Sequence, residues 1–212
     1  MKVVHVSYSD AGGGADIAAR RLHLALREAG VDSHMLCLYS SGKTPGARGV
    51  RRRTRGIGAR LAARLRFELR RIQRDPTCGG LSINWLRNAM PARIRALEPD
   101  VVHLHWLGMG TLRIEDLPRL PGQLVWTVHD MWPFCGAEHY TFRDTRWREG
   151  YTWANRAEQA RGLDVNRWVW RRKWRAWQGR TIHTISVSSW MDACVRESRL
   201  FRDRPGERVV IG

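Results

Sequence analysis

The sequence predicts an α/β fold built on a doubly wound, mostly parallel sheet with helices on both faces. Short apolar and β-branched runs, of the kind buried on both faces of a parallel sheet, alternate with segments of helical periodicity. The first two strands enclose one helix through short connections, a pattern typical of a right-handed parallel strand–helix–strand unit. At 212 residues the chain is long enough to bury the core of one such domain.

The first predicted strand, Lys2–Ser7, runs directly into a glycine-rich loop and a helix. Gly12, Gly13 and Gly14 form the loop, and helix Ala15–Ala29 follows with apolar residues at helical spacing. Glycines let a group approach the backbone closely, and a helix N-terminus presents N–H groups with a partial positive charge. The junction therefore predicts a phosphate or diphosphate site, with a tight turn that binds nothing as the alternative. The loop matches neither a Walker A motif nor a strict Gly-x-Gly-x-x-Gly, which disfavours nicotinamide binding.

The other elements follow in chain order. Strand Ser33–Tyr39 completes the first unit, and a basic loop, Ser40–Arg55, leads to an amphipathic helix, Ile57–Ile72. The remaining predictions are helix Leu86–Leu97, strands Val101–His105 and Leu124–His129, helix Asp164–Gln178, strand Thr181–Ser186, helix Ser188–Ser198 with Ser188 or Ser189 as its cap, and strand Arg208–Ile211.

Charge, cysteine content and hydropathy limit the classes of function. The net charge of +17, from 37 Lys and Arg against 20 Asp and Glu, favours nucleic acid, anionic lipid or nucleotide phosphates as partners. The cysteines form no Cys-x-x-Cys pair, which disfavours a structural zinc site and fits the cytosol. Neither a signal-peptide pattern nor a run of about 18 apolar residues is present. We therefore expect a cytoplasmic protein that does not span a membrane.

Polar and aromatic residues stand where two predicted strands end. His105 and Trp106 end strand Val101–His105, and His129 and Asp130 follow the next strand. Ligands of open parallel sheets bind beyond the carboxyl ends of the strands, so these residues and the glycine loop meet if their strands are neighbours. His129 is the first candidate for a catalytic residue, because an imidazole can donate a hydrogen bond to a hydroxyl or phosphate and titrates near neutral pH. Asp130 can orient it or bind a hydroxyl; the alternative is a histidine satisfied by backbone groups.

The pair His103 and His105 raises a second possibility, a metal site. Residues two apart on a strand share one face, and a His-x-His pair can bind zinc. A third ligand, His129 or His139, would be needed, and no carboxylate–histidine pattern accompanies the pair. We predict no metal here and keep a metal-dependent hydrolase built on His103, His105 and His129 as a competing hypothesis.

Tryptophans and basic residues are interleaved late in the chain. Trp170, Trp174 and Trp177 share one helical face, whereas Trp168 lies on another. Aromatic and basic residues together suit a membrane interface or stacking on nucleic acid. The alternative is that the three tryptophans pack on the sheet and the arginines are solvated, and helix Ile57–Ile72 allows the same two interpretations.

The ordered motifs resemble the family 4 glycosyltransferases. They are the strand–Gly-Gly-Gly–helix junction, the segment Pro99–Trp106 (PDVVHLHW) and the segment Thr127–Phe134 (TVHDMWPF). Segments Asp164–Trp177 and Ile185–Trp190 are also similar to bacterial enzymes of exopolysaccharide and colanic-acid-type assembly. Such enzymes have the GT-B architecture, two Rossmann-like domains facing a cleft. The resemblance implies that residues 1–212 are one Rossmann-like, N-terminal, acceptor-side domain, with the C-terminal nucleotide-binding domain absent from this chain.

The resemblance also implies an activity and a set of site residues. The activity is retaining hexosyl transfer from a nucleotide-diphosphate sugar to a saccharide or lipid-linked acceptor, with no metal or other cofactor. Gly12, Gly13 and Gly14 would bind the donor, and His129 with Asp130 would serve catalysis. The residues assigned to the acceptor are Asp16, His105, Trp106, Trp132 and His139.

The expected partners follow from the resemblance together with the basic and aromatic segments described above. They are the donor, the acceptor, the missing domain in cis or in trans and an anionic membrane surface on the inner membrane face, with no specific nucleic acid. We expect the isolated chain to be inactive. The alternative function is a basic protein that binds nucleic acid or a membrane surface on a Rossmann-like scaffold.

Overall fold

The computed structural model describes residues 1–50, 73–74, 78–141 and 143–211, with only the backbone at positions 73, 74, 78 and 79. The predicted amphipathic helix Ile57–Ile72 and the end of the predicted loop Ser40–Arg55 lie outside the described residues.

The strands are β1 (Lys2–Ser9), β2 (Asp32–Tyr39), β3 (Ala47–Gly49), β4 (Gln73–Arg74), β5 (Cys78–Leu81), β6 (Val101–Leu104), β7 (Gln123–Val128), β8 (Glu138–Thr141), β9 (Arg161–Gly162), β10 (His183–Ser186) and β11 (Arg208–Val210). The helices are α1 (Gly14–Glu28), α2 (Met90–Arg95), α3 (Arg146–Glu149), α4 (Val165–Ala176) and α5 (Ser189–Glu197), with a 3-10 helix at Ile114–Arg119.

The main sheet of the described residues contains seven strands in the order β11-β10-β7-β6-β1-β2-β3, all paired in parallel. The chain runs from β1 outward through β2 and β3, then returns to the other side of β1 with β6 and runs outward again. The strand order therefore reverses between β1 and β6, which is the switch point where open α/β sheets bind ligands. With helices packed around the sheet, the predicted doubly wound, Rossmann-like fold is confirmed.

The core lies on both faces of the central strands. Val4, Val6, Val102, Leu104 and Val128 are completely buried, as expected for the middle of a parallel sheet. Burial of these side chains supplies the main driving force for folding, and it fixes the strand ends that carry the polar residues.

Helix α2 is shorter than the predicted helix Leu86–Leu97. The Asn88 side chain accepts a hydrogen bond from the Met90 backbone N–H at 2.8 Å, and Asn84 has a positive φ of 40°. Pro91 has no backbone N–H, so it fits only the first turn of a helix. Local turn chemistry therefore delays the helix until Met90.

Helix α4 confirms one interpretation of the tryptophan-rich segment. Trp170 and Trp177 are buried and Trp174 is half-buried against the core, whereas Trp168 is exposed. The indole N–H of Trp177 donates to the Ile114 carbonyl at 2.9 Å. The three tryptophans on one face are therefore packing residues.

Candidate active site

The carboxyl ends of β1, β6 and β7 lie side by side, as the sequence predicts if these strands are neighbours. The Tyr8 N–H donates to the Trp106 carbonyl at 3.1 Å, and the two rings meet edge to face at 5.4 Å. A shallow depression opens beside them. It is lined by His105, Trp106, Leu107, Gly108, Trp126, His129, Asp130, Trp132, Pro133 and His139.

The glycine loop is exposed at the end of β1 and leads into α1. A Cβ added at Gly13 or Gly14 would meet open space, whereas one at Gly12 would lie 2.0 Å from an Asp16 carboxylate oxygen. Gly12 is thus needed for close packing within the loop. Gly13 and Gly14 have no such structural requirement in the fold itself.

Asp16 holds the loop rather than facing solvent. It is buried, and its carboxylate accepts from the Ser7 hydroxyl at 2.7 Å and the Ser9 N–H at 3.2 Å. Burial raises the pKa of Asp16, while these hydrogen bonds oppose that rise. These contacts are those of a loop-positioning residue, and its assignment to the acceptor stays a prediction.

Asp130 is the centre of a hydrogen-bonded network beside the depression. One carboxylate oxygen accepts from the Trp106 indole N–H and from His139 Nδ1, both at 2.6 Å. The other accepts from the Trp132 backbone N–H at 3.0 Å. Asp130 therefore orients Trp106 and His139, two of the predicted acceptor residues, and the His139 ring stacks on the Trp106 indole at 5.0 Å.

The network continues from His139 to Ser82, whose hydroxyl lies 2.7 Å from His139 Nε2. The order Asp130–His139–Ser82 has the contacts of a Ser-His-Asp triad. Ser82 is only 3% exposed, does not line the depression and accepts from the Met109 N–H at 2.9 Å. A nucleophile must reach its substrate, so this arrangement orients His139 and is not a hydrolytic triad.

His129 lines the depression and is connected to buried histidines behind it. His105 Nδ1 lies 3.4 Å from His129 Nε2, and His5 Nδ1 lies 3.1 Å from His105 Nε2. His103 stacks on His105 at 4.3 Å and contacts the Thr127 hydroxyl at 2.8 Å. The two predicted catalytic residues therefore belong to different networks. His129 contacts the buried His105, whereas Asp130 is bonded to His139.

Burial keeps these imidazoles neutral. Desolvation lowers the pKa of His5 to about 2 and that of His103 to about 4, and it holds the pKa of His105 well below 6.5. The pKa of His129 is lowered as well, by burial, against an opposing effect of Asp130. At neutral pH each ring therefore has one N–H donor and one lone pair.

A metal ion would find a different set of ligands from the predicted one. Among the described residues, nitrogens of His5, His103 and His105 lie within 4.8 Å of one another. His5 is thus the third possible ligand, in place of the predicted His129 or His139. Each of these imidazoles has the nitrogen chemistry that zinc accepts. The contact of 3.1 Å between His5 and His105 is also an ordinary N–H···N hydrogen bond.

Lys173 holds the segment under the depression. It is fully buried, its ammonium donates to the carbonyls of Trp132, Cys135 and Gly136, and it lies 3.7 Å from the centre of the Trp132 ring. Burial lowers the pKa of Lys173 to about 7, with nearby acidic groups opposing the shift. This basic residue of α4 is therefore a structural clamp.

Three residues of the site, His5, Ser82 and Lys173, are not among those predicted from the sequence. His5 sits inside a β-branched run, and only the register β1–β6 pairs it with His103. Ser82 is 57 residues from His139, and no sequence signal links them. Lys173 could have been found, because it lies on the same helical face as the three tryptophans, and a cation on a buried aromatic face must have hydrogen-bond acceptors nearby.

Comparison with known proteins gives a family and no closer relative. The family described as Glycosyltransferase Family 4 matches residues 12–205 of the chain. No curated protein matches significantly, and neither does any solved structure.

Proposed function

We propose that this chain, which belongs to glycosyltransferase family 4, contributes the acceptor-side half of an enzyme that transfers a hexosyl group from a nucleotide-diphosphate sugar with retention of configuration. The acceptor is a saccharide or a lipid-linked saccharide. No metal or other cofactor forms part of this proposal, in which the nucleotide-diphosphate sugar is the co-substrate.

One observation carries the proposal. The glycine loop, Trp106 and His129 end three neighbouring parallel strands on both sides of the switch point between β1 and β6. The glycine loop and the N-terminus of α1 suit the donor diphosphate. The half-buried Trp106 indole offers a flat apolar surface beside polar groups, which suits a sugar ring, whereas Trp132 is buried and supports the floor of the depression. His129 would donate to an oxygen of the transferred sugar.

The size of the depression favours a second domain, in cis or in trans. The depression is too shallow to enclose a ligand by itself, whereas ligand pockets usually begin at roughly 300 Å³. A facing domain would complete the cleft, provide the remaining nucleotide contacts and exclude water from the reaction. We therefore expect the chain on its own to transfer little or no sugar.

Replacing Gly13 or Gly14 by valine tests donor binding directly. Because a Cβ at either position meets open space, the fold should tolerate the change while the added methyl groups block the approach of a diphosphate. We expect the affinity for a nucleotide-diphosphate sugar, measured by calorimetry over a panel of uridine and guanosine donors, to fall at least about tenfold.

The matched control for the glycine variants is Ala18→Val, which adds similar bulk to an exposed position of α1. It should leave the affinity unchanged. Equal donor affinity in Gly13→Val, Gly14→Val and the native protein, with equal melting temperatures, would contradict the assignment of the loop to the donor.

An exposed aromatic patch, defined by Trp85, Trp153 and Trp168, supports the proposed contact with an anionic membrane. Their exposed fractions are 54%, 64% and 45%. The Trp85 and Trp168 rings meet at 6.4 Å, and the Arg167 guanidinium covers the Trp153 ring at 4.2 Å. Aromatic rings with cations beside them suit a headgroup layer.

The aromatic patch lies close to the network of the candidate site. Arg172 covers the Trp168 ring and donates to the Ile83 and Asn84 carbonyls, directly after Ser82. We propose that a lipid-linked acceptor held at this surface extends from there toward the depression. In the described ranges, no helix has the length and hydropathy needed to cross a bilayer, so the contact we propose is peripheral.

Sedimentation with phosphatidylglycerol vesicles tests the patch. We expect the native chain to bind at low salt and to be released by high salt. Arg167→Glu should weaken binding at least about fivefold, since each basic residue near an anionic surface contributes about 1 kcal/mol. Trp85→Ser combined with Trp168→Ser should weaken it as well. Trp190→Ser, which removes a tryptophan of similar exposure on α5, is the control. Retention of full binding by the patch variants would exclude this surface.

A further inference from the structure

Three imidazoles form a hydrogen-bonded series from the sheet interior to the depression. The contacts run from His5 Nδ1 to His105 Nε2 at 3.1 Å and from His105 Nδ1 to His129 Nε2 at 3.4 Å. His5 and His105 are buried, whereas His129 lines the depression. Both nitrogens of the middle ring are engaged, so its tautomer and those of its neighbours depend on one another.

A series of neutral imidazoles can point its protons in only two directions. In the inward direction, His129 donates to His105 and His105 donates to His5, which leaves the proton of His5 on Nε2. In the outward direction, His5 Nδ1–H donates to His105 Nε2 and His105 Nδ1–H donates to His129 Nε2. The two directions give opposite tautomers of His129.

The inner end of the series decides between the directions. Within the described part of the chain, His5 Nε2 is buried and has no hydrogen-bond partner. The inward direction would bury an N–H without an acceptor, whereas the outward direction leaves only a bare lone pair there. Orphaned buried N–H groups are the rarer case, so the outward direction is favoured.

The neighbouring titratable groups form hydrogen bonds with partners outside the series. His23, 5.8 Å from His5 between ring centres, bonds to the Ser33 hydroxyl and the Pro45 carbonyl. His103 bonds to Thr127, and the carboxylate of Asp130 bonds to Trp106, His139 and Trp132. These partners leave the series itself to fix the proton of His129.

We propose that His5 and His105 are positioning residues, which hold His129 in the tautomer with its proton on Nδ1 and its Nε2 accepting from His105. His129 is then a hydrogen-bond donor toward a ligand and not a general base. What it donates to rests on the proposed function, namely an oxygen of the sugar or of the leaving phosphate. The tautomer does not depend on that function.

Histidine side-chain ¹⁵N NMR of the full chain at pH 7.5 tests the tautomer without any substrate. In the native protein we expect His129 to show a protonated Nδ1 and an unprotonated Nε2. His105→Phe should shift both resonances toward the average of two exchanging tautomers. His105→Gln should preserve the native signature, because an amide can accept from His5 and donate to His129.

A reversal variant and a buried control sharpen the test. The ionised carboxylate of His5→Asp offers only acceptors, so in that form it should invert the series and move the His129 proton to Nε2. His103→Phe, a buried neighbour outside the series, should leave His129 unchanged.

Three results would overturn the proposal. The first is a native His129 protonated on Nε2, which decides the matter even if a variant fails to fold. The second is a native signature in folded His105→Phe. The third is a native spectrum that changes on treatment with EDTA, because a metal on His5, His103 and His105 would replace the bond between His5 and His105. A correct tautomer in a protein that binds no nucleotide sugar even when the facing domain is supplied would refute the proposed function alone.

Discussion

Lowering the pH from 7 to about 4.5 is expected to unfold this protein, chiefly because three neutral histidines are buried in its sheet. His5, His103 and His105 are at most 5% exposed. Their folded-state pKa values are lowered by burial, to about 2 for His5, to about 4 for His103 and well below 6.5 for His105. In the unfolded chain the pKa of each histidine is about 6.5.

The sign of the pH dependence follows from proton uptake. Between about pH 6.5 and pH 4 the unfolded chain binds protons that the folded protein does not, so stability is fully present above pH 6.5 and falls as the pH drops. Each such histidine contributes up to about 1.4 kcal/mol per pH unit, hence roughly 4 kcal/mol per unit for three. Asp16 and Glu138, whose pKa values are raised by burial, offset part of this loss. The net loss in the free energy of unfolding still approaches the usual stability of a folded protein, about 5–15 kcal/mol.

Urea unfolding followed by tryptophan fluorescence between pH 7.5 and pH 4.5 measures this slope. His5→Gln should reduce the slope by about 1.4 kcal/mol per pH unit. The control Thr184→Val changes a buried, non-titratable residue of β10 and should leave the slope as in the native protein. A native slope below about 1 kcal/mol per unit would mean that the histidines are not held neutral in the folded state.

Replacing Asp130 by alanine should lower the free energy of unfolding by about 3–5 kcal/mol. The change removes the acceptor of the Trp106 indole, of His139 Nδ1 and of the Trp132 backbone N–H. Each hydrogen bond to a charged group contributes about 1.5–3 kcal/mol, and the donors left behind are largely buried. Because His139 and Trp106 also lose their orientation, ligand affinity at the depression should fall with stability.

Asp203→Ala is the matched control, since Asp203 also contacts two side chains through its carboxylate. Its oxygen lies 3.0 Å from Arg199 and 3.5 Å from Arg202, but the side chain is 73% exposed. Exposed ion pairs contribute at most about 1 kcal/mol, so the change should be small. Urea unfolding at pH 7.5 compares the two variants. A loss below about 1 kcal/mol for Asp130→Ala would mean that the network is not formed in solution.

The sequence by itself determined the fold class, six of the seven described strands of the main sheet and, to within one residue, the cap of α5, where the Ser188 hydroxyl accepts from the Met191 N–H. These features are local, because hydrophobic period and capping depend on residues a few positions apart. It also placed the glycine loop, His105 and His129 at strand ends. It missed the shortening of α2, where the Asn88 side chain and Pro91 outweigh the helical spacing.

The tertiary structure alone decided which side chains became partners. The strand order β7-β6-β1 places His5 beside His103 and His105. The loops beyond β6 and β7 place Asp130 within hydrogen-bond distance of Trp106 and His139, and its bonds go to these residues and not to His129. It also buried Lys173 beneath Trp132. Partners of this kind lie tens of residues apart, and a buried polar group bonds to whatever the strand register and packing place within reach. Periodicity along the chain carries no information about that register.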